Sequence, residues 1–407
     1  MASPLVAFAA DAEEYVPKMY ASIWSLVPPV VAIALALITK EVYSSLFVGI
    51  LVGGMFYSGF SFEGTITHIF QEGIVGVLSD SYNVGILIFL VILGTMVCLM
   101  NKAGGSTAFG EWASSHIKSR VGAQLATIVL GVLIFIDDYF NCLTVGSVMR
   151  PVTDAQNVSR AKLAYLIDAR FPCIKAVIQS TIAPISSWAA AVTGFVEGED
   201  GFSIFIRAIP YNFYAILTIV MMIAMVVMRV EYGPMKVHED NAKKGDIYTT
   251  PDRPYANAEE ETVDNGKGKV MDLLIPIISL IICCVIGMIY TGGFFDGVGF
   301  VEAFSASDAS VGLMLGSFFA LVITIVFYAL RKVLTFTESC GCLPEGFKAM
   351  VPAILILTFA WTLKGMTDSL GAKEYVAGLV GGISGPWLAL FPAVVFVVGA
   401  FLAFATG

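Results

Sequence analysis

Charge is what this sequence has least of. Asp, Glu, Lys and Arg make up 14% of its 407 residues, against about 25% in an ordinary soluble domain. A chain so poor in charge, 57% hydrophobic and with mean hydropathy +0.83, cannot clothe a water-facing surface, which excludes a soluble globular domain. Histidine is scarcer still. His68, His116 and His238 are scattered, without HxxxH spacing or a partner carboxylate at ligand spacing, so zinc chemistry is not expected. No GxxxxGK[ST] loop is present, and ATP-driven transport by this chain alone has no support. The opening MASPLVAFAADAEEYVPK lacks a basic n-region, and its apolar stretch is too short for a cleaved signal peptide; it is expected to stay on the mature chain. Of seven cysteines, Cys98, Cys142, Cys173, Cys283 and Cys284 fall in or beside apolar segments and read as small buried hydrophobes. Cys340 and Cys342 are a close loop pair, but without a second pair or a nearby histidine they are a weak metal signal, and no disulfide framework is implied. The net charge of −9 comes largely from one loop and short links, and implies no nucleic-acid partner.

What is abundant is apolar sequence. Runs long enough to span about 30 Å of hydrocarbon at about 1.5 Å per residue occur at 23–39, 43–60, 83–101, 176–196, 211–230, 270–291, 309–330 and 349–363. Lys and Arg are absent from the links 61–82, 197–202 and 292–308, and concentrated in 102–120, 150–175, 231–269 and 331–348. Cytoplasmic loops carry the basic excess, so the four basic links are placed in the cytoplasm and the N-terminus outside. The apolar stretch 121–150 then lies between two cytoplasmic links. A re-entrant hairpin satisfies both, with arms 121–136 and 140–149 and Asp137-Asp138-Tyr139 near its tip. Irregular backbone at membrane depth is tolerated where protein buries it or where it lines an aqueous cavity. The rival is a tilted helix that crosses against the charge bias.

Three crossings, a hairpin and two further crossings give an odd number, so a second copy of the unit would enter the membrane inverted. Leu26-Val27-Pro28 is echoed 248 residues later by Leu274-Ile275-Pro276, Glu72-Gly73 after 273 by Glu345-Gly346, and ILIFLVILGTMVCLMNKAGG from Ile86 after 268 by ILILTFAWTLKGMTDSLGAK from Ile354. The organisation expected is an external segment 1–22, a first repeat 23–230 with its hairpin at about 121–150, a flexible cytoplasmic linker 231–269, and an inverted repeat 270–407. In the second repeat the counterpart of Asp137-Asp138 falls at Ala405-Thr406, two residues before the last, so that repeat is expected to be incomplete and the sequence a fragment.

An ionisable group at membrane depth costs about 2.5–3.5 kcal/mol on insertion scales and seldom persists without a partner or a function. Asp137 and Asp138 are therefore the leading candidates for chemistry. Asn141 and Thr144 follow Asp137 at i+4 and i+7, so a helical second arm sets three oxygens near one face. Such a cage suits a hard cation, and a carboxylate in it lets Na+ and a proton compete for the same oxygens. Desolvation and a like-charged neighbour favour the protonated form. The plainer reading makes Asp138 a helix cap and leaves Asp137 in water. In CIKAVIQSTIAPISSWAAAVTGF the residues Ser180, Thr181, Pro184, Ser186 and Ser187 interrupt a spanning run. Proline frees a backbone carbonyl, and carbonyls with hydroxyls suit ion coordination, although serines also serve close helix packing in lipid. Asp168 and Arg170, near a membrane boundary, read first as an anchoring ion pair and second as a gate or proton pathway.

The segments IFIDDYFNCLTVGSVMRPVTDAQNVSRAKLAYLIDA and STIAPISSWAAAVTGF resemble the NhaC-type sodium/proton antiporter family, an ion-transporter class of inverted repeats with paired re-entrant hairpins. The resemblance implies an all-α, polytopic membrane protein of inverted repeats, each with a hairpin and a broken helix. It implies a secondary antiporter, not an enzyme, exchanging cytoplasmic Na+ for external H+ in the inner membrane of a prokaryote, with a role in pH homeostasis. Na+ is placed at Asp137, Asp138 and Asn141, with Thr144, Ser180, Thr181, Ser186, Ser187 and, from the second hairpin, Thr406 completing the site. No cofactor is expected beyond the transported Na+ and H+; the surroundings are the lipid bilayer, and a homodimer is left open. Similar proteins exchange organic acids such as malate or lactate, or amino acids, which is the alternative; an intramembrane aspartyl enzyme is a distant third.

Overall fold

The computed structural model describes residues 16–133, 138–168, 207–211, 213–250, 268–381 and 390–397, and every regular element among them is helical. After a 3-10 turn at Ile23–Leu26, α1 (Val27–Thr39) opens on prolines, which cost nothing in a first turn whose N–H groups have no helical partner. Lys40 turns the chain in a left-handed conformation (φ 57°). The carboxylate of Glu41 then caps α2 (Val42–Tyr57), accepting from the N–H of Tyr43 at 3.2 Å and of Ser44 at 2.7 Å. The link 61–82 is itself largely helical: α3 (Phe62–Thr67), a π-helical stretch His68–Val75, and α4 (Gly76–Ser79).

Next come α5 (Ser81–Lys102), α6 (Gly105–His116), α7 (Arg120–Leu133), α8 (Asp138–Ala155) and α9 (Arg160–Asp168). Beyond them lie α10 (Phe213–Met228), α11 (Gly233–Ala242), α12 (Met271–Thr291), the short α13 (Phe300–Ser305) and α14 (Ala309–Leu330). The series continues with α15 (Phe336–Ser369) and α16 (Ala372–Gly381). Among the described residues, five helical stretches are long and apolar enough to cross a bilayer: α5, 216–242, α12, 310–330 and α15. The stretch 216–242 is broken at Arg229–Tyr232, so its apolar part is α10. The protein is an all-α polytopic membrane protein.

Six of the apolar runs coincide with helices to within a few residues; the run 176–196 lies outside the described residues. The run 349–363 differs, because it is the middle of the 34-residue α15, about 50 Å long at 1.5 Å per residue. Residues 336–348, expected as part of a basic loop, are helix. A capping box starts it: Glu338 Oε2 accepts from the N–H of Thr335 at 2.7 Å, and Thr335 Oγ1 accepts from the N–H of Glu338 at 3.3 Å. Likewise the basic link 102–120 contains α6.

The chain forms two compact units, residues 1–81 with 352–407, and residues 82–351. Each unit therefore draws on both halves of the sequence. In the first, α1 packs along α2 and the core contains Ala32, Ile50, Ile69, Leu363 and Met366. In the second, α12 and α14 pair lengthwise, and the main core gathers Phe89, Leu93 and Met96 of α5, Val145, Val148 and Val152 of α8, and Leu280 and Met288 of α12.

The sequence echoes meet in this packing. In the second unit Gly346 lies against the backbone of Gly94 and Thr95, where a methyl group would collide with main-chain atoms. In the first, a methyl on Gly73 would come within 3.0 Å of Thr362 Cγ2 and 3.1 Å of Met366 Cε. Gly73 and Gly346 are counterparts at 273 residues, and Gly94 and Thr362 at 268. Each glycine thus packs on a helix of the opposite half of the sequence. Small residues allow such close approach in lipid, where packing rather than water exclusion drives helix association.

Candidate functional site

The candidate site is built around α7 and α8, which pack against each other. Asp138 lies on α8. Asn141 and Thr144 lie on the same helix. Further along the same helix Val145 and Val148 are fully buried. Asp168 lies on α9. Asp137, Arg170, Ser180, Thr181, Ser186, Ser187 and Thr406 lie outside the described residues.

What holds these helices is a charge cluster that sequence reasoning missed. The segment 231–250, expected as part of a flexible linker, contains α11 and is tied down by side chains. Glu239 is 1% exposed and pairs with Arg120, the first residue of α7. Its other oxygen accepts from the N–H of Ser159, the residue before α9, at 2.9 Å. Lys162, also 1% exposed, pairs with Glu231 at 2.8 Å. Arg160 pairs with Asp154, at the end of α8, at 2.6 Å, donates its backbone N–H to Ile247 O at 2.9 Å and lies over the ring of Tyr248. Ser159 Oγ accepts from the N–H of Lys162 at 3.0 Å, capping α9. The ends of α7, α8 and α9 are thereby fastened to one strap. Buried charges of this kind persist only when paired, because an unpaired one pays its desolvation in full. The sequence carried one signal, the acid and base alternating through 229–244, but the hydropathy minimum there reads equally as solvent-exposed linker.

Elsewhere in the second unit, Asp272 is fully buried and pairs with Arg331, while Tyr328 donates its hydroxyl to Asp272 O at 2.5 Å. Glu345 accepts from Lys102 Nζ at 2.8 Å and from Cys98 Sγ at 3.0 Å. Cys340 is exposed and Cys342 buried, so the CxC pair does not present two thiols together. Among the described residues no group of His, Cys, Asp and Glu could hold a metal ion.

The sequence pattern of the Na+/H+ antiporter family matches residues 177–407. A protein of Haemophilus influenzae, described as an uncharacterized protein, is 34% identical over 403 residues, covering 95% of this chain and 74% of that protein. No solved structure matches. The family match covers more than half of the sequence and falls on an all-helical membrane architecture: the chain belongs to the Na+/H+ antiporter family.

Proposed function

We propose that the chain exchanges cytoplasmic Na+ for external H+ at a site centred on Asp137 and Asp138, with Asn141 and Thr144 and the hydroxyls of Ser180, Thr181, Ser186 and Ser187 as neutral ligands. One observation carries this reading: in a member of the Na+/H+ antiporter family, two adjacent aspartates, Asp137 and Asp138, stand within an otherwise apolar segment. A hard cation is matched by carboxylate, amide and hydroxyl oxygens. Two neighbouring carboxylates titrate as a pair, so a cation and a proton displace one another there. In alternating access α7 and α8 move against the surrounding spans, with Asp168 and Arg170 at the entrance. Thr406 contributes from the second half.

The test is sodium-driven dissipation of a pH gradient in proteoliposomes. Wild-type protein responds to Na+, and the double variant Asp137→Asn/Asp138→Asn does not. A response preserved in that variant overturns the site assignment. Exchange driven by carboxylic or amino acids, with none driven by Na+ alone, would instead favour the organic-substrate reading.

A further inference from the structure

Of the three histidines, only His68 is buried, and it does have a carboxylate partner. Glu72 follows at i+4, with its Oε2 2.7 Å from His68 Nδ1. That corrects the expectation of scattered, partnerless histidines. His68 opens the π-helical stretch His68–Val75 in the link between α2 and α5. Such i→i+5 turns are rare and concentrate at functional sites. The imidazole stacks on Tyr57 of α2, with centroids 3.6 Å apart and planes 5° apart. Its Nε2 lies 3.1 Å from Ser369 Oγ at the end of α15. The side chain of His68 is 4% exposed and that of Glu72 63%, so a solvent-facing carboxylate touches a buried imidazole.

The hydrogen count at this cluster is informative. Ser369 has one hydroxyl proton, and it goes to Met366 O at 2.9 Å. Towards His68 the hydroxyl therefore accepts, and Nε2 carries the hydrogen. Neutral His68 then turns the lone pair of Nδ1 to a carboxylate oxygen at 2.7 Å. One proton added at Nδ1 converts the opposed lone pairs into an ion pair. Among the described residues no other charged group is paired with the ring. Tyr57 faces it from α2, and on α15 Lys364 and Asp368 are exposed and paired with one another at 3.1 Å.

The repeat counterpart sharpens the contrast. Glu345, which echoes Glu72 in the sequence, takes Lys102, whereas Glu72 takes an imidazole, which can gain or lose its proton. One end of the repeated motif is fixed and the other is switchable. We propose that His68 and Glu72 together bind one proton at a site separate from the aspartate pair, and that its occupancy sets how firmly the π-helical stretch holds the end of α15. Burial holds the imidazole below its ordinary range, partly offset by the carboxylate of Glu72. The site is therefore empty at neutral pH and fills on acidification. Its effect on ion exchange rests on the antiport reading; the binding of the proton does not.

The experiment is a histidine NMR titration of the full chain with ring-labelled histidine, run from about pH 8 to about pH 5, with the His68 signal assigned by its loss in His68→Gln. His68 is expected to titrate below the ordinary imidazole value of about 6.5. In Glu72→Gln, an exposed change that leaves the fold in place, the midpoint drops further, by roughly half a pH unit or more. A His68 signal that titrates at or above about 6.5, or that Glu72→Gln leaves unmoved, overturns the proposal. A parallel arm measures sodium-driven exchange against external pH, where Glu72→Gln shifts the acid limb in the same direction. Absence of any wild-type exchange refutes the antiport reading alone, because the titration still decides the proton site.

Discussion

Glu239 reaches across 80 positions of sequence to accept the backbone N–H of Ser159 at 2.9 Å, and the same carboxylate holds Arg120. One buried acid thereby fixes the starts of α7 and α9 to α11. The helix that carries Asp138 lies between these two in the chain and packs against both, so the placement of the candidate site depends on a residue far from it.

Removing that acid leaves Arg120 without its buried partner and an N–H of Ser159 unsatisfied. Glu239→Ala is expected to destabilise the protein by about 3–5 kcal/mol, the range for breaking a buried pair from one side. The double variant Arg120→Ala/Glu239→Ala should cost clearly less than the sum of the two single changes. Equilibrium unfolding in detergent gives both numbers, and additivity would show that the pair is not coupled.

Gly346 has no room for a side chain beside the Gly94–Thr95 backbone. Gly346→Val is expected to cost about 1–3 kcal/mol or more by overpacking and to lower the thermal midpoint in detergent. Gly365 is the control, because a methyl group added there would meet nothing within 4 Å: Gly365→Ala should leave the midpoint nearly unchanged.

Glu41 caps α2, and its hydrogen bonds with Ser44 hold its carboxyl below the ordinary carboxylate range. A depressed carboxylate stabilises the fold above its unfolded value, and that contribution is lost as pH falls through the folded value. Amide exchange at Tyr43 and Ser44 should therefore accelerate on acidification to below about pH 4.5, beyond the intrinsic pH trend. In Glu41→Gln the exchange is already faster at neutral pH, and the extra acid-induced loss disappears.

Asn141 supplies an amide oxygen in the proposed site. Asn141→Ala is expected to raise the KM for Na+ roughly tenfold, the effect of losing about 1.4 kcal/mol, with a smaller change in maximal rate. Initial rates of sodium-driven proton flux over a range of Na+ concentrations check this. An unchanged KM would remove Asn141 from the site.

The spans were legible because hydropathy is a local sum: twenty apolar residues in a row have few alternatives to a membrane helix, whatever surrounds them. The aspartates stood out for the same reason, as charges inside an apolar run. The echoes of Pro28, Gly73 and Gly94 were readable as offsets, and the Thr335–Glu338 box was readable in principle, though a basic link was expected there. His68 and Glu72 are spaced as helical neighbours, yet nothing local shows that the imidazole is buried under Tyr57 and Ser369.

Composition and periodicity by themselves determined that this is a helical membrane protein and where its polar exceptions fall. Only the tertiary structure decided which of the scattered charges are paired. Glu239 finds Arg120, Lys162 finds Glu231 and Glu345 finds Lys102 because packing brings distant segments together and excludes water from them. A charge's cost and its partner are set by that dry neighbourhood rather than by its neighbours in the chain. Hence residues 231–250, which read as part of a polar linker, proved to be the strap that ties α7, α8 and α9.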